Sequence, residues 1–266
     1  MTNEILDRAF QAHKVGDLAA ATQGYETVLQ STPGHSLSLA LLALIRHQSV
    51  CSRMSKRLGL ANLKGQGFVP GTVFDVGAQT GTAELFEIFP DAHHVMLEPV
   101  AECEPVLRAL CSQLRSAEYH MAAVTERSGQ VTLKVSASRQ YASVVRSATA
   151  DGAEYRTIPC VSLNDLCSRR LYPGPYLIKI DVDGTEIDVL KGASALASPD
   201  SVFVIEATLN NGDPRFPKIL DFFRLYDFVL HDIVDPMFRP ADGALWQVDV
   251  IMVHSASRYR QMKQYQ

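Results

Sequence analysis

Three stretches of this chain carry residues whose types and spacing could do chemistry. They are Asp75-Val76-Gly77-Ala78-Gln79-Thr80-Gly81, Glu98-Pro99 and Lys179-Ile180-Asp181-Val182-Asp183. In the first, an acid closes a short apolar run, and Gly77 and Gly81 let the backbone turn tightly and approach a ligand. Glu98 follows about twenty residues on, where a carboxylate can accept hydrogen bonds from both hydroxyls of a ribose. Together they point to an adenosine cofactor. A nicotinamide-dependent oxidoreductase or epimerase uses the same second acid, but its G-x-G-x-x-G turn faces a pyrophosphate. An acid at Asp75 would repel that group and attract the ammonium of a methionine moiety. The charge favours S-adenosylmethionine, held by Asp75, Gly77, Ala78, Gln79, Gly81 and Glu98. The alternative for the two acids is structural, with Asp75 capping the turn and Glu98 on the surface.

In the third stretch, strand alternation puts Lys179 and Asp181 on one face and Ile178, Ile180 and Val182 on the other. A Lys and an Asp in an otherwise apolar strand cost free energy unless they are paired or functional. A buried ion pair and a catalytic pair are both open readings. Asp183 and Glu186 read as a capping box at a helix start.

The elements that must position these residues follow from periodicity. Residues 1–60 repeat apolar positions at three and four, as amphipathic helices do. From about Gly65, short β-branched runs alternate with helical segments, the pattern of an α/β domain with a parallel sheet. Glycines and Pro70 in residues 64–71 mark the expected joint. This divides the chain into a helical segment, 1–64, and an α/β domain, 65–266. Strands are expected at 72–76, 95–97, 119–124, 176–182 and 202–205, with antiparallel strands at 131–135 and 155–161. Helices are expected near 83–89, 105–114, 186–190 and 217–225. Strands at 228–233 and 247–253, joined by a loop, form an antiparallel hairpin at one sheet edge. In the first segment Ala9, Ala12, Gly16, Ala21, Tyr25, Val28 and Pro33 have the spacing of one tetratricopeptide-like unit, and Leu37, Leu41, Leu44 and Ile45 continue as a further helix. A plain helical hairpin fits the same pattern. Either suits a protein partner or homodimer contact.

The formal net charge of −4 argues against a nucleic-acid surface. The one basic cluster, residues 258–263, reads as a solvated tail. Cys51, Cys103, Cys111, Cys160 and Cys167 form no C-x-x-C pair, which points to reduced thiols and a cytoplasmic protein. The N-terminus lacks a signal-peptide pattern. The longest apolar run, residues 37–45, is too short to span a bilayer, so no membrane role is expected.

Residues 75–81, Glu98-Pro99, Ile178 to Gly184 and Leu190-Lys191-Gly192-Ala193 together resemble the FkbM family of methyltransferases, and residues 161–166 look like the segment that precedes the last of these motifs. The similarity covers residues 71–254. Two positions depart from the family pattern: Gln79 stands where Asn is usual, and Asp183 where Glu is usual. Both keep the chemical type. The resemblance implies a Rossmann-like class I methyltransferase sheet with helices on both faces. It also implies methyl transfer from S-adenosylmethionine to oxygen, on a hydroxyl of a saccharide or a secondary metabolite. An alcohol is a poor nucleophile, so a base is needed. Asp181 is the first candidate, Lys179 its orienting partner and Glu206 the second candidate. His231 and His254 read as structural, and Ser143 as either a substrate contact or a turn residue. Asp181, Asp183 and Glu206 are oxygen ligands of the kind Mg²⁺ takes, but they lack the spacing of a metal loop, and no metal is assigned. A third reading is a non-catalytic interaction protein that retains the fold.

Overall fold

The computed structural model describes residues 2–14, 17–51, 54–136, 142–145, 147–149, 151–209 and 215–260. They fall into two compact units, residues 1–54 and 55–266.

In the first unit, α1 (Thr2–Lys14), α2 (Leu18–Ser31) and α3 (Ser36–Cys51) follow one another. Asp17 starts α2 by accepting from the Ala20 amide at 3.0 Å, which satisfies one of the orphan donors of a helix start. Ala21, Tyr25 and Val28 recur at helical spacing and are fully buried. Gly24 lies against Ala9, where an added Cβ would come within 2.5 Å of the Ala9 Cβ. Ala9, Ala21 and Tyr25 share one cluster with Leu42 and Ile45 of α3. Leu37, Leu41, Leu44 and Ile45 lie on α3 as expected, with Leu37 and Leu44 exposed. Gly16 lies outside the described residues, as do positions 261–263 of the basic tail.

The second unit opens with α4 (Lys56–Gly65). Its Leu60 and Leu63 are fully buried with Phe68, Val73, Leu177 and Val204. The expected joint at residues 64–71 therefore lies inside this unit, because the apolar stripe of α4 is part of its core. The main sheet holds β1 (Thr72–Val76), β2 (His93–Leu97), β3 (Ala117–His120), β8 (Tyr176–Ile180), β9 (Val202–Thr208), β10 (Phe228–Phe238) and β11 (Leu245–His254). Its order is β10-β11-β9-β8-β1-β2-β3. Neighbours from β9 through β3 run parallel. β11 runs antiparallel to both β9 and β10. This is the class I methyltransferase sheet, with the expected hairpin at its edge.

The connecting helices are α5 (Ala83–Ile88), α6 (Glu104–Gln113), α7 (Leu163–Arg169), α8 (Glu186–Gly192) and α9 (Arg215–Leu225). A second sheet is built from β4 (Ala123–Val124), β5 (Gly129–Val135), β6 (Ala142–Val145) and β7 (Glu154–Val161), in the order β4-β7-β5-β6. The strand expected at 119–124 is therefore two strands in two sheets. The chain breaks near Met121, and Ala123 and Val124 pair with Cys160 and Val161. The polar stretch around Ser143 is a strand, with Ser143 opposite Lys134, while Tyr141 lies outside the described residues.

Period-two alternation sorts the main sheet into two faces. Phe74, Ile178, Ile180, Phe203 and Ile205 share one apolar cluster. Val73, Leu177, Val202, Val204, Ile251 and Val253 share another, covered by Leu60 and Leu63 of α4. By the same alternation, Asp75, Lys179, Glu206 and Asp249 lie on the α4 face. Because α4 belongs to this core, Leu60→Ala should lower the unfolding free energy of the second unit by about 2–5 kcal/mol. Urea denaturation followed by circular dichroism checks this, and a loss below about 0.5 kcal/mol would contradict it.

Candidate active site

Lys179 is the central buried cation of the site. Asp75 and Lys179 are register partners on adjacent parallel strands, on one face of the sheet. The Lys179 ammonium is buried, 3.2 Å from Asp75 Oδ1 and 3.1 Å from Asp181 Oδ2. It also donates to the Gly77 carbonyl at 3.3 Å. Burial works against its charge, but Asp75 and Asp181 outweigh that and hold the lysine protonated above its ordinary range.

Asp75 is 1% exposed. Besides the lysine, it accepts from the Thr82 amide at 3.0 Å and the Thr82 hydroxyl at 3.1 Å. Its oxygens are thus committed to the loop, and it is absent from the cavity wall. The expectation that Asp75 meets the cofactor's ammonium is corrected accordingly. A carboxylate in a fully buried strand fixes the turn that follows it. Ala78 is likewise not a cavity residue, since it packs against Met96 and Leu107. Gly81 and Lys179 also stand behind the wall rather than in it.

Gly77, Gln79 and Glu98 do line the cavity. Gly77 has φ +76, and a Cβ there would lie 1.8 Å from the Asp181 carbonyl oxygen, so the loop passes directly over the end of β8. Glu98 is buried and accepts from the Gln79 amide through Oε2 and the Val100 amide through Oε1, both at 2.8 Å. Burial pushes its carboxyl above the ordinary carboxylate range, and these two amides oppose the rise. A carboxylate has about four acceptor sites, so capacity remains for a ligand's hydroxyls. Gln79 sits at φ +46, a left-handed conformation that Asn tolerates better than Gln. This gives a physical reason for the departure at this position to matter.

The cavity has a volume of ≈ 640 Å³, within the range of small-molecule sites. Leu97, Val100, Val124, Leu133 and Trp246 form apolar wall, and Glu98, Asp181, Asp183 and Glu206 supply acids. A second cavity of ≈ 550 Å³ adjoins it through Ala142 and Asp183, with Lys134, Ser143 and Asp151 on its wall.

Asp181 and Glu206 come together. Burial opposes ionisation of Asp181, but Lys179 and a hydrogen bond from Glu206 hold its carboxyl below the usual range. Glu206 is pushed up to about 8, by burial first and then by the charges of Asp181 and Asp249. Glu206 lies within β9 rather than at its end. Asp183 and Glu206 both face the cavity, but Asp183 does not cap α8. Thr185 holds the cap position, and Glu186 accepts from the Gly184 amide at 3.0 Å, so the expected capping box does not form.

Two charged residues of the site escaped sequence reading. Asp249 lies opposite Glu206 in the β9–β11 ladder, and Lys56 at the start of α4 pairs with it at 2.6 Å. An acid inside the apolar run from Val248 to Val253 was the available signal. His254 is structural, accepting from the Ala256 amide at 3.1 Å. Among the described residues there is no cluster of metal-ligand side chains, Cys103, Cys111, Cys160 and Cys167 are free thiols, and no helix is long and apolar enough to cross a membrane.

The model of the methyltransferase FkbM domain matches residues 75–230. The chain belongs to the FkbM methyltransferase family. It is an S-adenosylmethionine-dependent methyltransferase, and the oxidoreductase reading falls away. A search of curated proteins finds no match. Similar solved structures include an O-methyltransferase from Bacillus cereus in complex with SAH, at 13% identity over 95% of this chain and 100% of that one, TM-score 0.44. Fibrillarin from Aeropyrum pernix with bound S-adenosyl-L-methionine matches at 12% identity over 73% of this chain and 74% of that one, TM-score 0.44. The FkbM donor fits what the cavity offers. Glu98 has acceptor capacity for a vicinal diol, apolar wall lies beside it, and the Asp181 carboxylate, held ionised by Lys179, favours a cation.

Two substitutions test the loop. Gly77→Ala should abolish calorimetrically detectable binding of S-adenosylhomocysteine, and retained binding would contradict the close approach to Asp181. Gln79→Asn should raise stability by about 0.5–1 kcal/mol by relieving the left-handed backbone, measured as an increased urea midpoint.

Proposed function

We propose that this methyltransferase methylates oxygen, on a hydroxyl of a saccharide or another hydroxyl-bearing small molecule. The observation that carries this reading is the Asp181–Glu206 pair in the wall of the cavity. An alcohol must lose its proton as its oxygen attacks, and a base that titrates near the working pH serves best. Glu206, pushed up to about 8, meets that requirement. Asp181, held as an anion by Lys179, is the weaker base of the two. The order of the two sequence candidates is therefore reversed in this proposal, with Asp181 orienting the proton acceptor.

When bound, S-adenosylmethionine supplies an electrophilic methyl carbon on a sulfonium. The chain's own residues do the rest. Glu98, Gly77 and Gln79 would hold the nucleoside end, and the apolar wall around Val124 and Leu133 would exclude water. Lys179 keeps Asp181 ionised and fixes the loop through Asp75. Glu206 takes the hydroxyl proton once it has released its own to solvent. Much of the rate then comes from holding the oxygen in line with the methyl group. The second cavity, with Ser143, Lys134 and Asp151 on its wall, supports a polar acceptor entering from that side.

A screen with radiolabelled donor over hydroxylated small molecules and glycans tests the reaction type. Recovery of the label in methyl ethers supports the proposal, and label on nitrogen or carbon overturns it. With an acceptor in hand, the rate should climb as pH rises through about 8, because Glu206 must be ionised to accept a proton. Glu206→Gln should lose that limb and roughly 10²–10⁴-fold of the rate.

A further inference from the structure

The row of charges on the α4 face continues beyond the Asp181–Glu206 pair. Asp249 stands directly opposite Glu206 in the antiparallel β9–β11 ladder. Opposed residues in such a ladder project from the same face, with Cβ atoms roughly 4.5–5.5 Å apart. Asp249 is 5% exposed, so its charge is poorly screened where it meets Glu206. Lys56, the first residue of α4, places its ammonium 2.6 Å from Asp249 and 3.6 Å from Asp235. Its backbone amide also donates to Asp235 at 3.0 Å, which pins the start of α4 to β10. The helix is held over this face from the other end by Leu60 and Leu63, both fully buried. Lys56 is thus mostly buried and fixed at both backbone and side chain.

We propose that Lys56 is a positioning residue for methyl transfer, acting through Asp249 to set the charge against which Glu206 gains and loses its proton. This rests on the reading of Glu206 as proton acceptor. The charged groups around Glu206 are Asp181 and Lys179 from β8 and its end, and Asp249 from β11. Asp75 shares Lys179, and Asp235 shares Lys56. The row contains five acids, Asp75, Asp181, Glu206, Asp235 and Asp249, against the two ammonium groups of Lys179 and Lys56. Lys179 neutralises one end. Lys56 alone does so at the other, among the described residues. Without it, an ionised Asp249 would face Glu206 uncompensated, and a like charge at that range holds a carboxyl protonated to higher pH. With it, Asp249 is partly neutralised, although burial still lifts its carboxyl above the ordinary range. Lys56 itself is kept charged, since Asp249 and Asp235 outweigh the burial that opposes it.

The test is a carbon-13 carboxyl titration of the full chain with labelled Asp and Glu, the Glu206 signal being assigned by its loss in Glu206→Gln. Lys56→Met should move the Glu206 titration upward by about one pH unit or more, and Asp249→Asn should move it downward. Lys56→Arg, which keeps the charge, should leave it within a few tenths of a unit of the unaltered chain. Circular dichroism and S-adenosylhomocysteine binding confirm that each variant is folded. If both Lys56→Met and Asp249→Asn leave the Glu206 titration in place, the proposal is overturned. If Lys56→Met moves it downward, the sign is wrong and the proposal is equally overturned. Failure of the underlying reading looks different. In that case the titrations shift as stated, but Glu206→Gln transfers methyl groups at an undiminished rate.

Discussion

A single buried ammonium organises this site. Lys179 sits buried in a central strand, so its charge must be met by acids beside it. Asp75 and Asp181 do this from either side. Asp75, in turn, ties Thr82 and hence the whole loop from Gly77 onward. The same ammonium bonds the Gly77 carbonyl. Loop geometry and the ionisation of Asp181 therefore depend on one contact set. Removing any member leaves a buried charge without its partner, which costs more than the pair itself contributes.

The sheet explains why the charges gather where they do. In open α/β sheets, ligands bind beyond the carboxyl ends of the strands. On the α4 face, each strand is apolar along its length, with Val73, Leu177, Val202, Val204, Ile251 and Val253 in the core. It turns polar at the end nearest the cavity, with Asp75, Lys179, Glu206 and Asp249. The transition from apolar core to charged end thus runs across adjacent strands as one row. The second sheet, β4 to β7, is contiguous in sequence with β3 and supplies Val124, Leu133, Ala142 and Val144 to the cavity wall. It was only partly visible beforehand, because Ala142 to Val145 is too short a run to separate from a polar connection.

What the sequence by itself determined is considerable and has a clear physical basis. Strand and helix periods located most elements of the second unit, with α7, β6 and the division between β3 and β4 missed. The Asp75–Gly81 loop, Glu98 and the Lys179–Asp181 pair stand out in the sequence because acids and a lysine are out of place in apolar strands, and the family resemblance follows from their combination. Tertiary structure alone decided what surrounds each acid. Asp75 and Glu98 look equivalent in sequence, as acids at strand ends. Burial and hydrogen bonding spend one on the loop and leave the other facing the cavity. Asp181 and Glu206, the first and second candidates for the base in the sequence, are separated by Lys179 beside Asp181 and by burial and the Asp181 charge at Glu206. Lys56 and Asp249 could not be paired in advance, since they lie at opposite ends of the domain and meet only when β11 inserts beside β9. Side-chain type is local and readable, whereas charge state depends on neighbours that only the folded sheet brings together.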